Sequence, residues 1–207
     1  MSIQRVTIQS DYPLEGILHE NNRNAGVVIC HPHSLYGGSM FNNVVDALEQ
    51  GFSAKGFTTL KFNFRGVGKS EGVYDEGKGE VHDLLAALKF LREKIDKNAF
   101  ILLTGYSFGA WIASKAAMLD KSIDGLFLVA YPFAFYDAHE IKSFSKTIYL
   151  IGGMYDDIGP VKSLLEFYKS ISIKEKYLKI IPTSHFFNGK EDDIINFITE
   201  NVIISSQ

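Results

Sequence analysis

Ala99-Phe100-Ile101-Leu102-Leu103-Thr104-Gly105-Tyr106-Ser107-Phe108-Gly109 is the stretch from which the fold is read. Its first six residues form an apolar, β-prone run. Immediately after it, Ala110-Trp111-Ile112-Ala113-Ser114-Lys115-Ala116-Ala117 has the composition of a helix. Between the two stands Gly-x-Ser-x-Gly. Strand, sharp turn and helix in that order form the context of a nucleophile elbow, in which a strained turn pushes a serine hydroxyl outward. Glycines on either side let neighbouring backbones approach without a Cβ clash.

Outward from this stretch, strands and helices alternate. Val6-Thr7-Ile8 and Leu14 to His19 read as an opening hairpin through Ser10 to Pro13. Ala25 to Cys30 is a continuous apolar run, as a strand buried on both faces requires. Phe41 to Lys55 is helical by the spacing of Val44, Val45, Leu48 and Phe52, and Thr58 to Phe64 is a strand. Glu80 to Ile95 is an amphipathic helix, and Leu126 to Ala130 and Thr147 to Ile151 are further strands. Val161 to Ser170 is a helix opened by Pro160, Tyr177 to Ile181 is the last strand, and Asp192 to Val202 the closing helix. Such alternation predicts an α/β fold with a mostly parallel central sheet and helices on both faces.

In sheets of this kind ligands bind beyond the C-terminal ends of the strands, and the unusual residues collect there. His31-Pro32-His33 follows the first parallel strand, Arg65-Gly66-Val67-Gly68 the second, Ser107 ends the third, Gly152 to Asp156 follows the fifth and Ser184-His185 the last. A serine hydroxyl needs a base, and the base needs an orienting group. His185 is the candidate base and Asp156 the candidate acid; the chain order Ser, Asp, His is the one used with this elbow. Asp157 competes with Asp156, which is favoured because it stands at the strand exit, between Gly153 and Pro160. For a developing oxyanion, the backbone N–H of Phe108 is one candidate donor and that of His33, or its neighbour Ser34, the other. An imidazole base predicts activity that falls below roughly pH 6–7.

Several rival motifs fail. Asn63 occupies the position where a phosphate-binding Gly-x-x-x-x-Gly-Lys-Ser loop ending at Ser70 needs its first glycine, and bulky Phe64 and Arg65 would crowd a phosphate. His31 and His33 are spaced i, i+2 around a proline with no third ligand nearby, so no metal is expected. Arg65 reads chiefly as a brace between loops, and Glu80 and Asp83 as cap and loop partners. No other cofactor is called for.

With 207 residues the chain suits one domain over residues 1–207, and 46% hydrophobic with 22% charged residues excludes disorder. A net charge of -3 gives no reason to expect nucleic acid or an anionic membrane as partner. The single cysteine, Cys30, has no internal disulfide partner, and the first residues lack the basic and apolar regions of a signal peptide. No apolar run approaches the roughly 20 residues that span a bilayer. Together these point to a cytoplasmic protein; a homodimer is compatible with the sequence.

Cys30 to Met40, with His31-Pro32-His33-Ser34-Leu35-Tyr36-Gly37-Gly38 at its centre, resembles the oxyanion loop of a small α/β-hydrolase family related to dienelactone hydrolases and short carboxylesterases. Phe62 to Gly72 resembles that family's second loop, and the elbow, Gly153-x-x-Asp156 and Ser184-His185-Phe186-Phe187 follow in the family's order. Ser34 stands where most members carry proline. The resemblance implies an α/β-hydrolase fold with nucleophile Ser107, acid Asp156 and base His185. Larger relatives insert a cap between the strands ending near Tyr131 and beginning near Thr147; roughly fifteen residues are too few for one. An open site is therefore expected, with Ser34, Tyr131 and Phe133, and beyond them Phe135 and Tyr136, as candidate substrate-lining residues. These aromatics favour small apolar esters over charged substrates. A thioesterase or peptidase using the same residues, and a non-catalytic binding module on the same scaffold, are the alternatives.

Overall fold

The computed structural model describes residues 2–204. Its frame is one eight-stranded sheet in the order β1-β2-β4-β3-β5-β6-β7-β8. The strands are β1 (Ser2–Gln9), β2 (Pro13–Glu20), β3 (Asn22–Cys30), β4 (Phe57–Phe62), β5 (Phe100–Tyr106), β6 (Gly125–Val129), β7 (Thr147–Gly153) and β8 (Lys176–Ile181). The opening hairpin is antiparallel and β2 pairs antiparallel with β4, while β3 to β8 run parallel. This is the mostly parallel α/β sheet that the alternating pattern predicted, in the α/β-hydrolase arrangement that the family resemblance implied.

Among the described residues five helices cover the sheet: α1 (Asn43–Ala54), α2 (Lys78–Arg92), α3 (Phe108–Leu119), α4 (Val161–Ser170) and α5 (Glu191–Asn201). Successive strand residues point to opposite faces, so the apolar runs feed two cores. Val28, Cys30, Leu103 and Leu128 meet α2, α3 and α4 on one face. Val27, Ile29, Leu102 and Val129 meet α1 and α5 on the other. The connection between β6 and β7 holds only a one-turn 3-10 helix, Glu140–Ser143, and no large cap. Among the described residues no helix is long and apolar enough to cross a membrane.

The segment from Asn63 to Ser70, which mimics a phosphate loop, spends its polar groups on its own chain. The Lys69 N–H donates to Glu15, the Ser70 hydroxyl to the Asn63 carbonyl and the Gly66 N–H to the Glu71 carbonyl. Arg65 is buried and donates from Nε and Nη2 to both oxygens of Asp83, whose side chain is fully buried. Breaking one partner of a buried pair leaves an uncompensated charge. Asp83→Ala is therefore expected to destabilise the fold by about 3 kcal/mol, the lower end of that range because Asp11 still reaches Arg65. A urea midpoint unchanged from wild type would remove Arg65 from the role of brace.

Candidate active site

β5 runs straight into the elbow. Ser107 has φ of +56° and ψ of −120°, a conformation that costs a non-glycine residue about 1–3 kcal/mol and persists only where its surroundings enforce it. The enforcement is visible. A Cβ on Gly105 would lie 2.3 Å from the Gly109 backbone, and one on Gly109 would lie 2.4 Å from the Cys30 carbonyl oxygen. The Ser107 N–H is held by the Val129 carbonyl at 2.9 Å. Helix α3 starts at the next residue, so the Phe108 N–H has no acceptor within its own helix.

At the end of β7 the chain turns through Gly153 to Asp156. The Met154 and Tyr155 N–H groups bond the carbonyls of Ile181 and Thr183, which lashes this turn to the one after β8. The Asp156 carboxylate accepts from the N–H groups of Ile158 at 2.9 Å and Gly159 at 2.7 Å. His185 sits in the turn after β8, its carbonyl accepting from the Tyr106 hydroxyl at 2.8 Å. Asn43, at the start of α1, braces the same turn by donating to the Phe186 carbonyl.

These three loops bring Ser107, His185 and Asp156 together. His185 Nε2 lies 2.9 Å from Ser107 Oγ, and His185 Nδ1 lies 2.8 Å from Asp156 Oδ2 and 2.9 Å from Oδ1. An ionised carboxylate can only accept, so the imidazole proton belongs on Nδ1 and the bare Nε2 faces the serine hydroxyl. The array can thus take a proton from Oγ and hold the resulting imidazolium against Asp156. All three residues are buried, while Asp157 is exposed. Burial pushes the Cys30 thiol well above its ordinary range, so it offers no rival nucleophile.

The hydroxyl opens on a cavity of about 820 Å³. Its walls include Tyr36, Phe108, Phe135, Tyr136 and Phe186, with His33 and Ser107 at the floor; among the described residues none lining it is Asp, Glu, Lys or Arg. The predicted wall is corrected here in three places. Tyr131 is buried and turns its hydroxyl to the Asp137 carbonyl. Phe133 packs on Phe167 and is not among the residues lining the cavity. Ser34 does not line the cavity, and its hydroxyl oxygen is buried with no hydrogen-bond partner. Pro132, Phe135 and Tyr136 form this side of the cavity instead.

His31 and His33 use their ring nitrogens on the protein itself. His31 Nδ1 meets the Pro32 carbonyl and its Nε2 accepts from the Phe64 N–H, tying the loop after β3 to the one after β4. Burial lowers the His31 ring to about 4, so it stays neutral. Two roles escaped the sequence reading: Tyr106 holds the His185 carbonyl, and Asn63 Oδ1 accepts from the Met40 N–H at 2.7 Å. The one available signal was Tyr106, an aromatic with a polar end inside the elbow pentapeptide.

Residues 27–141 match the model of the α/β-hydrolase fold family, and the chain belongs to that family. It is 31% identical over 189 residues, 85% of this chain and 77% of the other, to an uncharacterized protein of Rickettsia prowazekii. It is also similar to an α-β serine hydrolase homologue from Coxiella burnetii, with 32% identity, a TM-score of 0.90 and coverage of 98% and 99% of the two chains. A lidless α/β serine hydrolase from Xanthomonas campestris superposes with a TM-score of 0.87 at 27% identity, covering 98% of this chain and 94% of that one.

Proposed function

We propose that the chain forms one catalytic domain that hydrolyses small, uncharged carboxylic esters through an acyl-enzyme on Ser107. His185 Nε2 takes the hydroxyl proton as Oγ attacks the ester carbonyl carbon, and Asp156 steadies the imidazolium. The oxyanion accepts hydrogen bonds from the backbone N–H groups of Phe108 and His33, and the start of α3 adds its dipole. Collapse of the tetrahedral intermediate breaks the ester C–O bond, and His185 returns the proton to the departing alcohol. Water then attacks the acyl-enzyme with His185 again as base, releasing the acid and restoring the Ser107 hydroxyl.

The observation that carries this reading is the 2.9 Å approach of Ser107 Oγ to His185 Nε2, with Asp156 behind the ring. Aromatic walls without a charged side chain support a neutral, apolar acyl or alcohol group. The short β6–β7 connection, with no cap over the cavity, supports compact substrates rather than long acyl chains. A lone buried cysteine supports a reducing, cytoplasmic setting.

The same residues could serve a thioesterase or a peptidase, so relative rates decide the class. On matched panels of short esters, thioesters and amides, esters are expected to turn over fastest, with a fluorophosphonate adding its mass at Ser107. Thioester rates above ester rates would move the assignment to thioesterase. Absence of both turnover and labelling would leave a binding module.

A further inference from the structure

The loop after β3 folds back on His33. Its carbonyl accepts from the N–H groups of Tyr36 and Gly38, each at 3.1 Å. Its ring Nδ1 accepts from the Leu35 N–H at 3.2 Å, closing the one-turn 3-10 helix Ser34–Tyr36. A side-chain oxygen usually does such capping; here an imidazole nitrogen does it. Accepting at Nδ1 requires that nitrogen to be bare, so the proton of the neutral ring sits on Nε2. Nε2 lies 3.1 Å from the hydroxyl oxygen of Tyr74, in the connection between β4 and α2. The Tyr74 hydroxyl has the Tyr136 hydroxyl as its own side-chain neighbour, from the connection between β6 and β7. Two loops of the rim therefore meet at one imidazole, and a third reaches it through Tyr74.

The ring is also wedged between aromatics, with centroids 4.8 Å from Phe108 and 4.9 Å from Tyr74. The His33 side chain thus packs against Phe108, the other residue whose N–H group we assign to the oxyanion. Burial lowers the His33 ring from its ordinary range, opposed by the Glu80 carboxylate. The neutral form that the hydrogen bonds require is thus the one favoured near pH 7.

We propose that the His33 imidazole is a positioning residue for the oxyanion site: as an Nε2–H tautomer anchored on Tyr74, it fixes the loop that aims its own backbone N–H. This rests on the serine-hydrolase reading above and adds a side chain to which that reading gives no role. Oxyanion donors act on charge that develops only in the transition state, so misaiming one lowers kcat and spares KM.

The test compares wild type, His33→Ala, His33→Asn and Tyr74→Phe in ester kinetics and in affinity for an arylboronic acid, which forms a tetrahedral adduct on a serine Oγ. The wild-type His33 tautomer is read by 15N NMR of labelled histidine at pH 7. His33→Ala is expected to lower kcat by about 10²-fold with KM nearly unchanged, and to weaken boronate binding by a similar factor. His33→Asn should recover most of the loss, because a carboxamide oxygen can still accept from the Leu35 N–H. Tyr74→Phe, which removes only the anchor, should show a smaller fall of the same kind. If His33→Ala fails to fold, the other two variants carry the comparison.

Unchanged kcat and boronate affinity in these variants, with wild type active and labelled at Ser107, would overturn this inference and leave the hydrolase reading standing. An Nδ1–H or protonated His33 at pH 7 would overturn it whatever the activity. A wild type inert to esters and to fluorophosphonate would take down the hydrolase reading first, and this inference with it.

Discussion

Replacing Ser107 by alanine is expected to cut ester turnover by on the order of 10⁴–10⁶-fold while leaving the fold in place. The size follows from what remains. Without Oγ no acyl-enzyme can form, and only oxyanion donors and substrate binding are left to act on a water nucleophile. No neighbouring group substitutes, since Cys30 is fully buried with its thiol pushed up. The fold should hold because alanine keeps the same Cβ, and the strained elbow is enforced by contacts of Gly105 and Gly109 rather than by the hydroxyl. Only the hydrogen bond to His185 Nε2 is lost, and the hydroxyl borders a cavity from which water can replace it. A melting temperature within a few degrees of wild type, with loss of the fluorophosphonate adduct, completes the expected result. Retention of more than about 1% of the wild-type rate would be far too much for the residual catalysis of such a variant, and would defeat the acyl-enzyme mechanism.

The fold was largely legible in the sequence because burial on both faces writes itself as continuous apolar runs, and helices as i, i+3, i+4 spacing. The ends were less legible because hydrogen bonds set them. β3 begins at Asn22 rather than Ala25, since Asn22 pairs with Phe57 across an irregularity in register. α2 begins at Lys78 because the Glu80 carboxylate reaches back to accept from the Gly77 N–H. That Ser107, Asp156 and His185 come together was legible because proton transfer from a serine would tolerate few residue types and this fold hangs them on separate strand ends. The walls were not. The segment from Tyr131 to Tyr136 has neither the period of a strand nor that of a helix, so nothing in its order says which ring faces inward. Packing decides: Trp111 takes Tyr136 flat against itself, with centroids 4.0 Å apart, while Phe167 takes Phe133. The His33–Tyr74–Tyr136 cluster was hidden for a related reason, being assembled from three loops far apart in the chain.

Asp156→Asn should lower kcat by about 10⁴-fold with little change in KM, and Asp157→Asn should leave both within about twofold. The two residues are adjacent and carry the same charge, so any difference between them measures geometry rather than field. Asp156 Oδ1 is fixed by the N–H groups of Ile158 and Gly159, which can only donate. In the variant those donors hold the carboxamide oxygen in place and leave its NH₂ facing His185. An amide N–H can bond Nδ1 only if Nδ1 is bare, which moves the imidazole proton to Nε2. There it points at Ser107 Oγ and blocks acceptance of the hydroxyl proton. The backbone contacts and ring position survive, so the loss falls on the chemical step and binding is spared. Asp157 is exposed, and its neutralisation removes a charge screened by solvent. Steady-state kinetics on one short ester suffice for the comparison. Equal effects from the two variants would mean that the orientation of the imidazole does not depend on Asp156, and the assignment of the acid would fall.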